Sequence, residues 1–155
     1  MVVPLIGILP ERELRKHLKH KYILDACGLI AFIYNEPGAE IVKHILKEAA
    51  NGNTKVYMNK LNFFEVFYGI RREEGLNIAT SVYDTVLKLP IEIIASISDE
   101  VFFEASRIKS AYPMSLADSI ALGEASTSNA SLITSDHHEF DIVAEKENIQ
   151  FTWVR

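Results

Sequence analysis

The stretch Tyr22-Ile23-Leu24-Asp25 and its counterpart Ser131-Leu132-Ile133-Thr134-Ser135-Asp136 decide the fold of this chain. Each is a short apolar run that is followed directly, or after one residue, by an aspartate. Runs of this kind are too short for helices and are apolar throughout, as expected for a parallel strand covered on both faces. Similar runs occupy residues 55–58, 91–95 and 151–154. The sequence therefore predicts five strands, the first over 22–24 and the fourth over 131–134.

Between these runs lie longer stretches with helical spacing of apolar residues. Strands that alternate with helices are typical of an α/β domain with a mostly parallel sheet. We therefore predict a single-domain three-layer α/β/α sandwich. In such sheets the active site lies beyond the carboxyl ends of the strands. The predicted helices cover residues 29–34, 39–50, 62–74, 77–87, 99–110, 116–128 and 142–147.

The charge of the chain is unevenly distributed. The 155 residues carry a net charge of −5, yet residues 1–21 hold five basic and only two acidic side chains. We predict a basic N-terminal extension over residues 1–21 and one folded domain over residues 22–155. The excess of acidic residues in that domain argues against a protein that binds nucleic acid through a generally positive surface. It leaves room for a cluster of acids that holds cations.

The first ten residues are apolar but are interrupted by Pro4 and Pro10. A membrane-spanning helix needs about 20 apolar residues, so this segment is too short to be one. A secretory signal would carry its positive charge before the apolar run, whereas here the basic residues follow it. The single cysteine, Cys27, excludes an intramolecular disulfide. We expect a cytoplasmic protein without a membrane association.

Asp25 and Asp136 each stand at the carboxyl end of a predicted strand. Two acids at strand ends in one sheet face the same crevice. Either residue alone would also suit the N-cap of the helix that follows it. The sequence leaves both interpretations open for each residue taken singly.

Glu65 and Asp118 each lie three residues after a good capping residue, Asn62 and Ser115 respectively. This spacing is typical of a capping box, in which the acid bonds back to the start of its helix. The residues around both acids are apolar, however, which favours a position near the sheet. We therefore expect these acids also to approach the crevice.

Four carboxylates in one crevice would need compensation by protons or by a cation. Two unit charges 4 Å apart interact by about 4 kcal/mol at an effective dielectric constant of 20. Oxygen ligands without a thiolate favour Mg²⁺ or Mn²⁺ over zinc. Such ions commonly serve phosphodiester hydrolysis, because they polarise the phosphate and lower the pKa of the attacking water.

The sequence around these acids resembles the PIN domain, the nuclease fold of VapC-type toxins of toxin–antitoxin pairs. The similarity covers about residues 22–154 and rests on four segments in the expected order. These are ILDACGLIAFIYNEPGAE (23–40), LNFFEVFYGI (61–70), SLADSIALGEA (115–125) and LITSDHHEF (132–140).

The resemblance implies Mg²⁺- or Mn²⁺-dependent cleavage of RNA by a parallel-sheet domain. It assigns the catalytic metal site to Asp25, Glu65, Asp118 and Asp136, with Thr134 in support. It further implies a homodimer and an antitoxin protein as partners.

Other residues have roles that the sequence leaves open. Asp141 either makes a water-mediated contact at the metal site or caps a helix, and His137 is a candidate for binding substrate phosphate or metal. Arg71 and Arg72 either bind RNA or form a solvated helix end. The aromatic residues Phe63, Phe67 and Tyr68 belong either to a dimer interface or to the core.

Two alternative functions compete with the nuclease. The family commonly carries a hydroxyl residue after the first Asp, where this chain has Ala26 and Cys27. The first alternative is therefore a PIN-like module that binds RNA or protein with weak or no cleavage. The second is a receiver-like phosphoacceptor domain, which would need an acidic pair after the first strand and a lysine after a late one.

Overall fold

The computed structural model of the protein describes residues 19–155, and the predicted extension falls outside this range except for its last three residues. Five parallel strands form one sheet in the order β3-β2-β1-β4-β5. The strand bounds are β1 His20–Leu24, β2 Thr54–Asn59, β3 Glu92–Ile94, β4 Ser131–Thr134 and β5 Gln150–Trp153. The first strand begins two residues before the predicted start of the domain.

Helices cover both faces of the sheet, which confirms the predicted three-layer α/β/α sandwich. Helices α1 to α4 pack on one face and α5 to α7 on the other. In the described part of the chain, none of the helices has the length and apolar character needed to span a membrane. The helix bounds are α1 Ala26–Ile33, α2 Ala39–Ala50, α3 Lys60–Glu74, α4 Leu76–Val86, α5 Asp99–Ala111, α6 Leu116–Ser128 and α7 His137–Lys146.

The central strands supply side chains to both layers of core. In β1, Ile23 packs with α5 to α7 while its neighbour Leu24 packs with α1 to α4. In β4, Leu132 and Ile133 divide in the same way. Successive side chains of a strand point to opposite faces, so a strand buried on both sides is apolar at every position. This explains why the two deciding stretches show no alternation with polar residues.

Four helices begin one to five residues earlier than predicted. Helix α1 begins at Ala26 and α7 at His137, each directly after an aspartate that caps it. Helix α3 begins at Lys60, and its N-cap is Asn59, whose side chain accepts a hydrogen bond from the Leu61 N–H. The predicted capping box from Asn62 to Glu65 is therefore wrong. Asn62 is buried in the first turn instead.

Candidate active site

Asp25 lies at the carboxyl end of the central strand β1, almost fully buried. Its backbone N–H donates to the carbonyl of Ile133 on β4, and its side chain accepts from the Gly28 N–H at 2.6 Å. A Cβ at position 28 would lie 2.9 Å from a Leu24 methyl group and 3.0 Å from the Ile133 carbonyl oxygen. Glycine therefore allows α1 to start directly against the sheet. The two predicted roles of Asp25, helix cap and crevice acid, are combined in one side chain.

Asp136 caps α7 beyond the end of the neighbouring strand β4. Its carboxylate accepts from the Glu139 N–H at 3.1 Å. Its own N–H donates to the hydroxyl of Thr134, which is fully buried and also hydrogen-bonds the Asp25 carboxylate. Thr134 thus lies between the two strand-end acids, and its supporting role at a metal site stays a prediction.

Asp118 lies in the first turn of α6, where Ser115 is the N-cap. The Ser115 hydroxyl accepts from the Asp118 N–H at 3.0 Å and donates to the Asp118 carboxylate at 2.5 Å. The expected cap at Ser115 is therefore present. It fixes the Asp118 carboxylate at the start of the helix.

Burial, and then the charges of neighbouring acids, raise the pKa of three of the four predicted acids. Burial raises the pKa of Asp25 to about 7, and the charges of Asp118 and Asp136 add to the effect against the hydrogen bonds from Thr134 and Gly28. Burial also raises the pKa of Asp118, as does the charge of Asp136. Burial first, and then the charge of Asp118, raises the pKa of half-buried Glu65.

Cys27 reports the convergence of all four acids at one place. Burial raises the pKa of its thiol to about 12, and the charges of the four carboxylates all contribute. A thiol with so high a pKa is not a nucleophile at neutral pH, because the thiolate is the reactive form. Cys27 therefore marks the position of the acidic crevice without supplying chemistry of its own. The four contributing residues are Asp25, Asp136, Asp118 and Glu65.

The acids suit a hard divalent cation in charge and in donor type. They are oxygen donors without a thiolate partner, and the charges of Asp118 and Asp136 add to the effect of burial on the pKa of Asp25, as expected for carboxylates that repel one another. Within residues 19–155, no three His, Cys, Asp or Glu side chains are arranged to hold one ion together. Mg²⁺ typically takes one or two protein carboxylates and keeps several waters, so two of these acids would suffice.

Arg71 and Arg72 lie away from this edge of the sheet. Helix α3 starts at the carboxyl end of β2, and both arginines occupy its last turn. They are exposed, and Arg72 pairs with Glu73 at 2.9 Å. At a rise of about 1.5 Å per residue they stand roughly 10 Å along the axis from Glu65. This position suits a solvated helix end. It is too far along the helix for the two arginines to contact the crevice directly.

His137 and Asp141 form a contact of their own on α7. The Nδ1 atom of His137 lies 2.7 Å from the Asp141 carboxylate, and Nε2 lies 2.8 Å from the backbone oxygen of Arg155. The imidazole also stacks on Trp153, with 4.1 Å between ring centroids. Hydrogen bonding to Asp141 and then to the Arg155 carbonyl raises the pKa of His137. Both ring nitrogens are therefore engaged: Nδ1 bonds within α7, and Nε2 joins α7 to Arg155, which follows β5.

The structure also decides where the candidate interface aromatics lie. Phe63 is buried in the core and stacks on Tyr83, with 5.1 Å between ring centroids. Phe67 is partly buried against the same core, whereas Tyr68 is exposed. Of these three aromatic residues, only Tyr68 has a largely exposed side chain.

Sequence reasoning missed a buried polar pair behind the site. Glu124 on α6 is only 4% exposed, and one of its oxygens accepts from the Asn59 side-chain amide at 2.8 Å. Among residues 19–155, the other oxygen, Oε2, has no hydrogen-bond partner. Burial raises the pKa of Glu124 to about 7. The sequence signal for this pair is Glu124 itself, an acid in the middle of an otherwise apolar helical stretch.

The parallel sheet, with acids gathered beyond the ends of β1 and β4, defines a PIN-like α/β domain. Comparison with known families agrees, because the model of the PIN domain family matches residues 22–146. The chain belongs to the PIN domain family. This assignment replaces the receiver-like alternative. Among curated proteins, no sequence matches this chain.

Solved structures of several VapBC proteins share the fold. VapBC2 from Rickettsia felis, bound to a DNA fragment from its promoter, is 18% identical with a TM-score of 0.67; the match covers 85% of this chain and 97% of that one. DNA-bound VapBC from Salmonella typhimurium is 13% identical with a TM-score of 0.68, and the match covers 88% and 99% of the two chains. VapC20 from Mycobacterium tuberculosis, a toxin that cleaves the sarcin–ricin loop, is 11% identical with a TM-score of 0.58 over 81% and 95%. At these identities the similarity concerns the fold.

Proposed function

We propose that this protein is a metal-dependent endoribonuclease and the toxin of a toxin–antitoxin pair. The observation that carries the proposal is a set of four carboxylates whose charges act on the Cys27 thiol, at the carboxyl edge of a PIN-family sheet. The VapC20 toxin, which shares the fold, cleaves RNA, and this adds support.

Asp25, Glu65, Asp118 and Asp136 would hold Mg²⁺ or Mn²⁺ through two or more of their carboxylates. When bound, the ion would polarise the phosphate and lower the pKa of a water molecule. The Gly28 N–H and the Thr134 hydroxyl donate to Asp25 and favour its charged form. The Ser115 hydroxyl does the same for Asp118. These donors orient the two carboxylates and oppose the effect of burial, which raises the pKa of both.

The direct test is cleavage of single-stranded RNA with Mn²⁺ by the wild type, Asp25→Asn and Asp118→Asn. We expect both variants to lose at least 100-fold in rate, since even residues that only support metal ligands commonly contribute about 10–100-fold. Asp84→Asn is the matched control, because Asp84 is an exposed carboxylate on α4. Equal cleavage by all four proteins would contradict the assigned site.

The same experiment separates the nuclease from the alternative of a PIN-like binding module. Ala26 and Cys27 remove two hydroxyl positions next to Asp25, and the alternative rests on that change. A wild type that binds RNA and Mn²⁺ but leaves the RNA intact would favour the binding module. Cleavage that requires Mn²⁺ or Mg²⁺ would exclude it.

Two protein partners belong to the proposal. The first is an antitoxin, which the VapBC structures with the same fold favour. It would be encoded by a short reading frame next to this gene, and its product should inhibit cleavage when co-expressed. The second is another copy of this chain, to be tested by light scattering of the purified protein. An enzyme that cleaves cellular RNA in this way would act in the cytoplasm.

A further inference from the structure

A small cavity adjoins the acidic crevice on the side of α1 and α3. Its volume is about 170 Å³, and its lining includes the side chain of Glu65. It therefore opens beside a proposed metal ligand. Any RNA that places a phosphate at the crevice must place a neighbouring nucleotide close to this cavity.

The lining of the cavity divides into an apolar floor and a polar rim. The floor contains Cys27, Ile30 and Val66, and the rim contains Glu36, Ser135 and Arg155. Within residues 19–155, Arg155 is the one basic residue among its lining groups. Pockets for drug-sized ligands span about 300–1,000 Å³, so this volume suits a single ring system. Proteins recognise single-stranded RNA by taking unstacked bases into such sites.

Ala26 and Cys27 help to form this space. Both line the cavity and follow Asp25 directly in the sequence. Their side chains are small and carry no hydroxyl group that would hold water against the floor. The departure from the family pattern thus coincides with an apolar recess next to the site.

Several contacts fix Arg155 at the rim. Its Nη1 donates to the Glu36 carboxylate at 2.7 Å, and its backbone oxygen is held by His137. Gly38, in a left-handed conformation with φ of 93°, lets the loop before α2 approach β5 closely. A Cβ at that position would lie only 1.6 Å from the Val154 carbonyl oxygen. Glu36 and Arg155 are brought together by this close packing.

The guanidinium retains donors for a ligand. Within the described residues, only its Nη1 atom has a protein partner, and the side chain is 48% exposed. A guanidinium has five N–H donors, which suit a phosphate. Its planar face can also stack on a base. Because Arg155 lies at the mouth of an apolar cavity, we expect its guanidinium to bind a phosphate outside the cavity while a base occupies the inside.

We propose that this cavity is a nucleotide subsite: it receives the base next to the cleaved bond, and Arg155 binds a neighbouring RNA phosphate. The inference rests on the proposed nuclease function. It assigns to Arg155 a substrate-binding role and to His137 a positioning role, since His137 holds the backbone of Arg155.

The test of the base-binding part measures RNA binding rather than cleavage. Binding of a fluorescein-labelled single-stranded hexanucleotide is followed by anisotropy in Ca²⁺, with an abasic ribose placed at each position in turn. One abasic position should weaken binding to the wild type by about 5- to 100-fold, the range expected for one bound base. In Ile30→Trp, which fills the cavity, the intact RNA should bind weakly and that abasic effect should vanish.

An equal abasic effect in Ile30→Trp and wild type would overturn the base-binding part, because the base would then bind elsewhere. If Ile30→Trp lacks the native thermal transition, Cys27→Leu fills the same cavity from its floor and takes its place. Hydrolysis of bis(p-nitrophenyl) phosphate with Mn²⁺ separates the two proposals, since this diester has no base. A protein that hydrolyses neither this diester nor RNA contradicts the nuclease function. The anisotropy measurement still shows whether the cavity binds a base, because it does not depend on cleavage.

The phosphate contact of Arg155 is tested by the salt dependence of the same binding. Loss of one phosphate contact on single-stranded nucleic acid lowers the slope of log K against log salt by about 0.7. We expect this decrease in Arg155→Ala and recovery of the slope in Arg155→Lys. Lys43→Ala is the control, because Lys43 is an exposed lysine on α2. An unchanged slope in Arg155→Ala would overturn the assignment.

Discussion

Two buried carboxyl groups in this protein have the same raised pKa in different surroundings. Asp25 lies at the acidic edge of the sheet, and Glu124 lies between α6 and the end of β2. The pKa of each is about 7, and burial is the largest cause in both. They differ in their neighbours. Asp25 has two hydrogen-bond donors and two nearby acids, whereas in the described part of the chain Glu124 has one donor and one oxygen without a partner.

The raised pKa alone therefore does not distinguish these two acids, whereas their neighbours do. Donors from Gly28 and Thr134 favour the charged form of Asp25, so the site is built to hold negative charge. Glu124 has a single amide donor from Asn59 and no nearby charge that shifts its pKa. The first arrangement is suited to a cation, the second to a proton.

The largest expected effect distinguishes the two acids by activity. Asp25→Asn should lose at least 100-fold of Mn²⁺-dependent RNA cleavage, because it removes a proposed metal ligand. Glu124→Gln, which retains an oxygen for the Asn59 amide, should stay within a few-fold of the wild type. The measurement is initial cleavage rate under saturating Mn²⁺. Comparable losses in both variants would remove the functional distinction between them.

Metal-dependent stability provides a second distinction. A cation at about 100 times its Kd raises the free energy of unfolding by about 2.7 kcal/mol. We expect Mn²⁺ to raise the melting temperature of the wild type and of Glu124→Gln equally. In Asp25→Asn the rise should be much smaller. Equal rises in all three proteins would show that Mn²⁺ binds away from the acidic edge.

The pH dependence of stability should be governed in part by Glu124. Between its ordinary pKa of 4.5 and its folded value of about 7, the folded state keeps a proton that the unfolded state releases. The free energy of unfolding therefore falls as pH rises through this window, and is constant above it. Asp25, with its raised pKa, acts in the same direction.

Glu124→Gln removes one of these two contributions. Its stability relative to the wild type should increase by on the order of 1–3 kcal/mol between pH 4.5 and pH 7.5. Urea denaturation at several pH values measures this difference. Two parallel stability curves would mean that Glu124 does not hold its proton in the folded state.

The smallest effect concerns two serine caps, of which only one touches the site. Ser115 caps α6 and binds Asp118, while Ser98 caps α5 by accepting from the Val101 N–H. Each Ser→Ala variant should lose about 1 kcal/mol of stability. Only Ser115→Ala should also shift the pH profile of cleavage to higher pH. In the wild type the hydrogen bond from Ser115 lowers the pKa of Asp118, so its loss raises that pKa. Identical profiles in the two variants would exclude a role for Ser115 in positioning the acid.

The sequence predicts the sheet and the acidic edge because both depend on short local patterns. The strand β4 was predicted over its full length, and Asp25 and Asp136 were placed from their positions after strands. Helix starts were less accurate, since Asn59 and Asn62 are both good caps. The choice between these two caps depends on where β2 ends, and the strand ends at Asn59.

Contacts between distant segments could not be predicted in this way. The pairing of Asn59 with Glu124, and the meeting of Glu36 with Arg155, join residues far apart in the chain. No spacing rule links them, because tertiary packing brings them together. The roles of the four acids remain predictions, although the structure places their charges around one thiol.

The strand order has a consequence for how the protein is made. The central pair β1 and β4 joins the first described strand to one formed late in the chain. During synthesis, Asp25 emerges from the ribosome long before the residues that complete its surroundings, Thr134 and Asp136. Long-range strand pairing is also slow to form. A ribosome that stops before β4 therefore releases a fragment without the assembled acidic edge.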